Sequence, residues 1–225
     1  MKGNDRGGGG FNVIRVCIGI MMLHALVEGA NLEAWEKIYD HWELARPEVG
    51  LRKECKSDPC SPSCGNFDKY GNGHGVKCTD NYITIVALYN NRINGSIPAE
   101  LGELKALTWL TLSANQLTGS IPAELGELKA LTYLGLSNNQ LTGSIPAELG
   151  ELKALTDLDL SNNQLTGSIP AELGELKALT IAFYLKNNQL TPPAPRSVQA
   201  LCIRLDYRYC KGFAPQCSAF INDKC

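Results

Sequence analysis

The sequence predicts an α/β solenoid in which repeated coils stack side by side between two disulfide-stapled caps. Three observations support this fold class. One unit of 24 residues recurs through the middle of the chain, its leucines have the spacing of turns and short strands, and cysteines cluster at the two ends. The 225 residues divide into a signal peptide at 1–30, an N-terminal cap at 31–81, about five coils at 82–191 and a C-terminal cap at 192–225.

The first thirty residues have the three-part layout of a secretory signal peptide. A positively charged segment precedes an apolar stretch at 16–27, and the small residues Gly29 and Ala30 follow as a cleavage site. A membrane-spanning helix needs about 20 apolar residues, so this shorter stretch favours secretion over the alternative, an uncleaved membrane anchor. We expect a secreted, extracellular or cell-wall protein with no membrane span after cleavage, which also removes Cys17.

The eight cysteines that remain of the nine form two groups of four. They are Cys55, Cys60, Cys64 and Cys78 near the N-terminus, and Cys202, Cys210, Cys217 and Cys225 at the C-terminus. In an oxidising compartment this segregation predicts two separately cross-linked caps, each with three possible pairings. A zinc site is the alternative, but the cysteines lack a C-x2-C motif, so we expect no metal.

The middle of the chain is a repeat. The segment SIPAELGELKALT recurs with a period of 24 residues, beginning at Ser96, Ser120, Ser144 and Ser168. Stretches reading LSANQLTG or LSNNQLTG lie between the copies. A fixed period of about 20–29 residues with the pattern L-x-x-L-x-L-x-x-N-x-L is the signature of leucine-rich repeats.

The leucine spacing predicts the shape of one coil. Its apolar positions are Leu125, Leu128, Leu131, Leu134 and Leu136. A spacing of three is the period of a 3₁₀ turn, and a spacing of two is the period of a strand. Each coil should therefore pass through a 3₁₀-like segment and enter a short strand near 133–137. A lone coil could not bury these leucines, whereas stacked coils can.

An asparagine follows each predicted strand at nearly the same interval. These residues are Asn91, Asn115, Asn139, Asn163 and Asn188. An amide carries both donors and an acceptor, and a buried backbone group without a partner costs about 1–3 kcal/mol. We interpret the five as a structural ladder that satisfies buried backbone groups, in preference to a ligand site.

The unit LTGSIPAELGELKALTYLGLSNNQ resembles the plant-type extracellular leucine-rich repeat, with its L-x-G-x-I-P signature. That family includes receptor-kinase ectodomains and polygalacturonase-inhibiting proteins. The resemblance implies a right-handed solenoid with a concave parallel β-sheet, 3₁₀-like turns on the convex side, and recognition of proteins, peptides or cell-wall polymers. The segment beginning HGVKC resembles the family's N-terminal cap, with His74 where tryptophan is usual. No kinase domain or transmembrane segment follows in this sequence, so we do not expect the receptor form.

The caps should cover the open ends of the solenoid. A helix is expected from Asn31, its possible N-cap, to a point before Pro47. Its apolar face comprises Leu32, Trp35, Ile38, Tyr39 and Trp42. Among the N-terminal pairings we favour Cys64–Cys78 with Cys55–Cys60. Prolines at 192–195 end the regular repeats, and Cys202–Cys210 with Cys217–Cys225 is our hypothesis for the C-terminal cap.

The strand positions that alternate with buried leucines are the candidate ligand-binding residues, because they point outward. They are Trp109, Thr111, Tyr133, Asp157, Asp159 and Tyr184. Spaced 24 residues apart, Trp109, Tyr133 and Asp157 should form one row across adjacent strands about 5 Å apart. Aromatic rings beside carboxylates suit a peptide with a basic residue or a stacked sugar ring. The alternative is that these positions simply vary on the surface.

Other features narrow the expected function. A formal charge of −2 gives no electrostatic basis for nucleic-acid binding. With three histidines, no nucleophile motif and an exposed Asp157–Asp159 pair, we expect neither an enzyme nor a cofactor. Asn94 begins an N-glycosylation sequon, Asn-Gly-Ser.

The sequence therefore predicts a secreted, non-catalytic recognition module that binds an extracellular protein or peptide through its concave face. Two alternatives stay open: a structural or carbohydrate-binding protein of the cell wall, and a defence protein resembling polygalacturonase inhibitors. The oligomeric state is not indicated by the sequence.

Overall fold

A computed structural model describes residues 32–44, 51–67, 73–205 and 210–211. The helices are α1 (32–41) and α2 (Arg196–Arg204). The strands are β1 (Gly65–Phe67), β2 (Gly73–Thr79), β3 (Tyr82–Ala87), β4 (Asn94–Gly95), β5 (Trp109–Thr111), β6 (Gln116–Gly119), β7 (Tyr133–Gly135), β8 (Gln140–Leu141), β9 (Asp157–Asp159), β10 (Thr166–Ser168), β11 (Ala182–Tyr184), β12 (Gln189–Thr191) and β13 (Cys210–Lys211). The signal peptide predicted at 1–30 lies outside the described residues.

The main sheet has eight strands in the order β1-β2-β3-β5-β7-β9-β11-β13. Strands β1, β2 and β3 pair antiparallel, and every later pair is parallel. The register aligns equivalent repeat positions, so Ile85, Trp109, Tyr133 and Asp157 form one row across four strands. The outward side of this sheet is the concave face of the leucine-rich repeat solenoid, as the fold class predicted.

The interior of each coil is built from leucine. In one coil Leu125, Leu128, Leu131, Leu134 and Leu136 have no exposed surface. Burying one such side chain fully contributes about 1.5–3 kcal/mol. The 3₁₀ turns of the convex side are Ala99–Glu103, Ala123–Glu127, Ala147–Glu151 and Ala171–Glu175. These turns and strands are the elements that the leucine spacing predicts.

Glycine permits the close approach of successive convex turns. A Cβ atom added to Gly126 would lie 2.4 Å from the backbone oxygen of Glu148 in the next coil. Gly102 has the same relation to Glu124, at 2.3 Å. The recurring glycine is therefore required by the contact between neighbouring backbones.

The asparagine ladder joins consecutive coils through buried amides. Oδ1 of Asn115 accepts from the N–H groups of Asn91 and Ile93, at 2.9 and 3.0 Å. Its Nδ2 donates to the carbonyls of Leu88 and Leu112, at 2.7 and 2.8 Å. Corresponding bonds within and between coils are made by Asn139, Asn163 and Asn188. Each amide thus supplies partners to backbone groups that the turn would otherwise leave buried without them.

A second set of short strands within the coils forms two smaller parallel sheets, which the leucine spacing does not indicate. One consists of β4, β6 and β8, and the other of β10 and β12. Both are formed by the QLTG-type segment that follows each ladder asparagine. An isolated bridge between Ser144 and Thr166 lies between the two sheets.

Helix α1 packs its tryptophans into the N-terminal cap. Nε1 of Trp35 donates to the carbonyl of Cys55 at 2.7 Å, and Nε1 of Trp42 donates to that of Ser96 at 2.8 Å. Both tryptophan side chains are fully buried. The helix therefore covers the first coil, while Asn31 and Pro47, the predicted limits, lie outside the described residues.

The favoured N-terminal disulfide pairing was wrong. The structure pairs Cys55 with Cys64 and Cys60 with Cys78, with Cα–Cα distances of 5.5 and 5.2 Å. Cys55 and Cys64 end up adjacent because each lies in a short 3₁₀ turn, Lys53–Lys56 or Pro62–Cys64. Cys60, in the bend between these turns, then faces β2. The pairing depends on this local folding, which sequence spacing does not encode.

The C-terminal cap contains elements of a sixth coil beyond the repeat boundary predicted at 191. Helix α2 packs against the last 3₁₀ turn, where Ser197 contacts Gly174 as Glu172 contacts Gly150 in the preceding coil. Strand β13 then adds to the sheet, with Cys210 opposite Phe183. Buried residues of this cap are Val198, Leu201, Cys202 and Leu205. Cys217 and Cys225 lie outside the described residues, so the proposed C-terminal pairing stays a prediction.

Candidate functional site

Two aromatic rings stand at the centre of the concave face. Trp109 on β5 and Tyr133 on β7 are register partners, with ring centroids 3.8 Å apart and planes within 5° of parallel. The indole is 40% exposed. Because the rings come from adjacent strands, their stacking direction runs across the sheet.

A glycine on the same strand makes room for Tyr133. A Cβ atom added to Gly135 would lie 2.8 Å from Cε1 and 2.9 Å from the hydroxyl oxygen of Tyr133. The phenol ring therefore leans along β7 over Gly135. Ala87, Thr111 and Gly135 are small register partners on three adjacent strands, and all three are buried.

A groove of about 550 Å³ opens beside the stacked pair. Its lining residues are Gly73, Ile85, Ala87, Tyr89, Thr108, Trp109, Thr111, Ser113, Ala114, Tyr133 and Ser137. Every one of them is uncharged. Tyr89, which is 46% exposed, adds a third aromatic ring. The groove combines aromatic surface with hydroxyl groups that can donate to and accept from a ligand backbone.

The carboxylates lie one strand beyond the stack, outside the groove lining. Oδ2 of Asp157 accepts from the hydroxyl of Thr156 at 2.7 Å. Oδ1 of Asp159 accepts from the backbone N–H and the hydroxyl of Ser161, at 2.9 and 2.6 Å. Burial raises the pKa of Asp157, against the opposing effect of the Thr156 bond. Burial also raises the pKa of Tyr133, and the charges of Asp159 and Asp157 raise it further.

His74 lies at the edge of the groove and ends the asparagine ladder. Nδ2 of Asn91 donates to Nε2 of His74, and the imidazole makes an edge contact with Tyr89 at a centroid distance of 5.7 Å. An accepting Nε2 requires the neutral ring. Burial lowers the pKa of His74, which favours that neutral form. In the second coil the ladder amide of Asn115 donates to a carbonyl of the preceding coil. In the first coil the imidazole of His74 accepts the corresponding bond from Asn91.

Three of the six candidate ligand-binding residues come together at the groove: Trp109, Thr111 and Tyr133. Asp157 and Asp159 adjoin it, while Tyr184 on β11 lies two strands from Tyr133. The sequence reasoning missed Ser113 and Ser137, whose hydroxyls are 3.1 Å apart in the groove. Continuing the outward alternation two residues past each strand would have found them.

Asn94, the predicted glycosylation site, is exposed on β4 and lies outside the groove lining. Nε2 of His41 lies 3.3 Å from the hydroxyl of Ser96, the third residue of the sequon. A glycan at Asn94 stays a prediction.

The part of the chain that the structure describes contains two helices, α1 and α2. None of its helices is long and apolar enough to cross a membrane. Across the same residues, no cluster of three or more His, Cys, Asp or Glu side chains could hold a metal ion.

Known families match the repeated part of the chain. A leucine-rich repeat model matches residues 81–141, and a second model, of two leucine-rich repeat copies, matches residues 129–169. No curated protein gave a significant match to the sequence.

Among solved structures, the BIR2 ectodomain from Arabidopsis thaliana is 35% identical, over 62% of this chain and 78% of its own, with a TM-score of 0.53. The ectodomain of the plant membrane receptor kinase GASSHO1/SCHENGEN3 from Arabidopsis thaliana, in complex with CASPARIAN STRIP INTEGRITY FACTOR 2, is 41% identical over 55% of this chain, with a TM-score of 0.51. The ectodomain of the Arabidopsis receptor kinase HAESA, in complex with an N-terminally extended IDA peptide hormone ligand, is 29% identical over 82% of this chain, with a TM-score of 0.57.

The chain spans only 14% and 33% of the GASSHO1/SCHENGEN3 and HAESA chains, respectively. Its similarity to BIR2 extends over 78% of the BIR2 ectodomain chain. The repeat matches, the stacked coils and the similarity to BIR2 together show that the chain belongs to the leucine-rich repeat family and is similar to the ectodomains of plant receptor kinases.

Proposed function

We propose that this protein is a secreted, non-catalytic recognition module that binds an extended peptide or protein segment through its concave face. The observation that carries the proposal is the Trp109–Tyr133 stack beside a groove of about 550 Å³. An exposed, pre-stacked aromatic pair offers apolar contact area at a reduced ordering cost on binding. Aromatic anchors of this kind commonly dominate the binding energy of an interface.

The shape of the groove favours an extended ligand. Its small positions, such as Ala87 and Ala114, let a main chain approach the sheet, and the hydroxyls of Ser113 and Ser137 can pair with peptide groups. The GASSHO1/SCHENGEN3 ectodomain was solved with CASPARIAN STRIP INTEGRITY FACTOR 2, and the HAESA ectodomain with a peptide hormone. Their ligands support an extracellular protein or peptide as the partner class.

Secretion is supported by the N-terminal cap. Its two disulfides, Cys55–Cys64 and Cys60–Cys78, form and persist in an oxidising compartment. The leader-like segment at 1–30 would deliver the chain there.

The test is selection from a displayed random peptide library by the oxidised protein, in parallel with two variants. Trp109→Ala removes the exposed indole, and Ile203→Ala removes another exposed apolar side chain, on α2. We expect peptides that bind the parent and Ile203→Ala, and that bind Trp109→Ala at least about tenfold more weakly. Melting curves of all three proteins check that the fold is retained. Equal binding by the parent and Trp109→Ala would rule out the groove as the peptide-binding site.

The exposed indole also supports a second candidate, stacking of a sugar ring from a cell-wall polysaccharide. Co-sedimentation with insoluble wall polysaccharide distinguishes the two. Retention of the parent but not of Trp109→Ala, without selected peptides, would favour carbohydrate binding.

A further inference from the structure

The aromatic stack has a second face that points away from the groove. Trp109 covers one side of the Tyr133 ring, and the next register partner on the other side is Asp157. Since the rings stack across the strands at 3.8 Å, the uncovered face of Tyr133 is turned toward β9. An aspartate side chain is too short to cover a phenol ring. A flat group can therefore occupy the next stacking position above Asp157.

Two carboxylates border that position. Asp157 is the register partner of Tyr133, and Asp159 is the register partner of Gly135, over which the ring leans. Their bonds to Thr156 and Ser161 use Oδ2 of Asp157 and Oδ1 of Asp159. Within the described residues, the other oxygen of each carboxylate has no protein donor. An aromatic face on β7 and two carboxylates on β9, each with one oxygen still open to a donor, are thus neighbours in the sheet.

The chemistry of this position matches a guanidinium group. Guanidinium is planar, stacks on aromatic faces and donates two parallel hydrogen bonds to carboxylates. An ammonium is a more strongly hydrated point charge that lacks the planar fit. We infer that the peptide ligand carries an arginine whose guanidinium stacks on Tyr133 and pairs with Asp157 and Asp159. The inference rests on the proposed function and specifies the ligand class further.

The sheet geometry fixes where this arginine lies in the ligand. The groove is lined from β3 to β7 with β5 between them, and β9 is two strands beyond β5. Two strand spacings amount to about 10 Å, and an extended residue spans about 3.3 Å. The arginine should therefore be about three residues from the side chain that fills the groove.

The experiment compares peptides selected on the parent with their arginine-to-citrulline and arginine-to-lysine forms. Citrulline keeps the shape of arginine but removes the charge. We expect citrulline to raise Kd about tenfold or more for the parent and lysine to raise it less. For the variant Asp157→Asn/Asp159→Asn, the arginine and citrulline peptides should bind alike. Tyr133→Phe should retain the preference for arginine, because the ring face is unchanged, and Tyr133→Leu should weaken it.

The outcomes separate this inference from the proposed function. Peptides that require Trp109 but show no arginine preference would overturn the arginine subsite and leave the recognition module standing. A citrulline effect that persists unchanged in the double asparagine variant would also overturn it. Failure to select any peptide on the parent would overturn both. Melting curves exclude unfolding as the cause of lost binding in any variant.

Discussion

The convex and concave sides of the coils are built from the same 24-residue unit, yet only one of them varies. The convex turn reads AELGE in four consecutive coils, whereas the outward row on the strands changes from Trp109 to Tyr133 to Asp157. The convex turns contact each other through backbone, so their sequence is restricted by packing. The concave side chains project away from the coil, so they can change without disturbing the stack. Recognition chemistry can therefore differ from coil to coil on an invariant scaffold.

The largest expected effect comes from breaking the convex contact. Gly126→Ala would place a methyl group 2.4 Å from the carbonyl oxygen of Glu148, so neighbouring coils would have to separate. We expect a loss of about 3 kcal/mol in the free energy of unfolding, measured by urea denaturation followed by circular dichroism. The matched control is Glu127→Ala in the same turn, which removes an exposed ion pair with Lys105 and should cost less than about 1 kcal/mol. Equal stability of both variants would show that the convex turns tolerate separation.

The difference between the two sides also explains what the sequence could predict. The leucine period determines the strands, the 3₁₀ turns and the ladder asparagines, because each of these recurs at a fixed place in every coil. Helix α2 was not predicted, because Arg196–Arg204 replaces the AELGE motif with a different sequence at the same place in the stack. Gly174 was the available signal for a further packed element, because its counterparts in earlier coils each contact the following coil.

The site was predictable only in part. Alternation along the strands identified Trp109 and Tyr133, but the groove also depends on how the rings lean and on small residues such as Ala87 that leave space beside them. Ring direction follows from packing of neighbouring coils, which a single unit does not specify. The same limitation applies to the N-terminal disulfides, whose pairing depends on two short turns.

One coil departs from the repeat pattern at a position with a left-handed backbone. Ala114 has φ of 58°, while Asn138 and Asn162 have φ of 55° at the equivalent positions. This conformation costs an ordinary L-residue about 1–2 kcal/mol and is easier for asparagine. Ala114→Asn should therefore stabilise the protein by about 1 kcal/mol, and the reciprocal Asn138→Ala should destabilise it by a similar amount. Urea denaturation measures the free energy of unfolding of both variants. Changes of the same sign in the two variants would contradict this expectation.

The smallest expected effect concerns the N-terminal end of the ladder, where His74 takes the place of a preceding coil. Burial lowers the pKa of His74 in the folded protein, whereas its ordinary value is about 6.5. Below that value the unfolded chain binds a proton that the folded protein resists. The contribution of His74 to stability is therefore complete above about pH 6.5 and decreases as the pH falls toward the lowered folded pKa. The raised pKa of Asp157 acts in the opposite direction, over a pH range that begins near the ordinary aspartate value of about 3.9 and extends upward to the raised value.

Replacing the imidazole with a neutral side chain isolates this effect. In His74→Gln the amide oxygen can still accept from Asn91, but it does not titrate near neutral pH. The melting temperature of the parent should fall more than that of His74→Gln between pH 7 and pH 5, and the two curves should have similar slopes above pH 7. Parallel curves throughout would mean that the ladder end does not depend on a neutral imidazole. Tyr89 contacts His74 and lines the groove. Protonation of His74 therefore acts on both the end of the invariant ladder and the edge of the variable concave face.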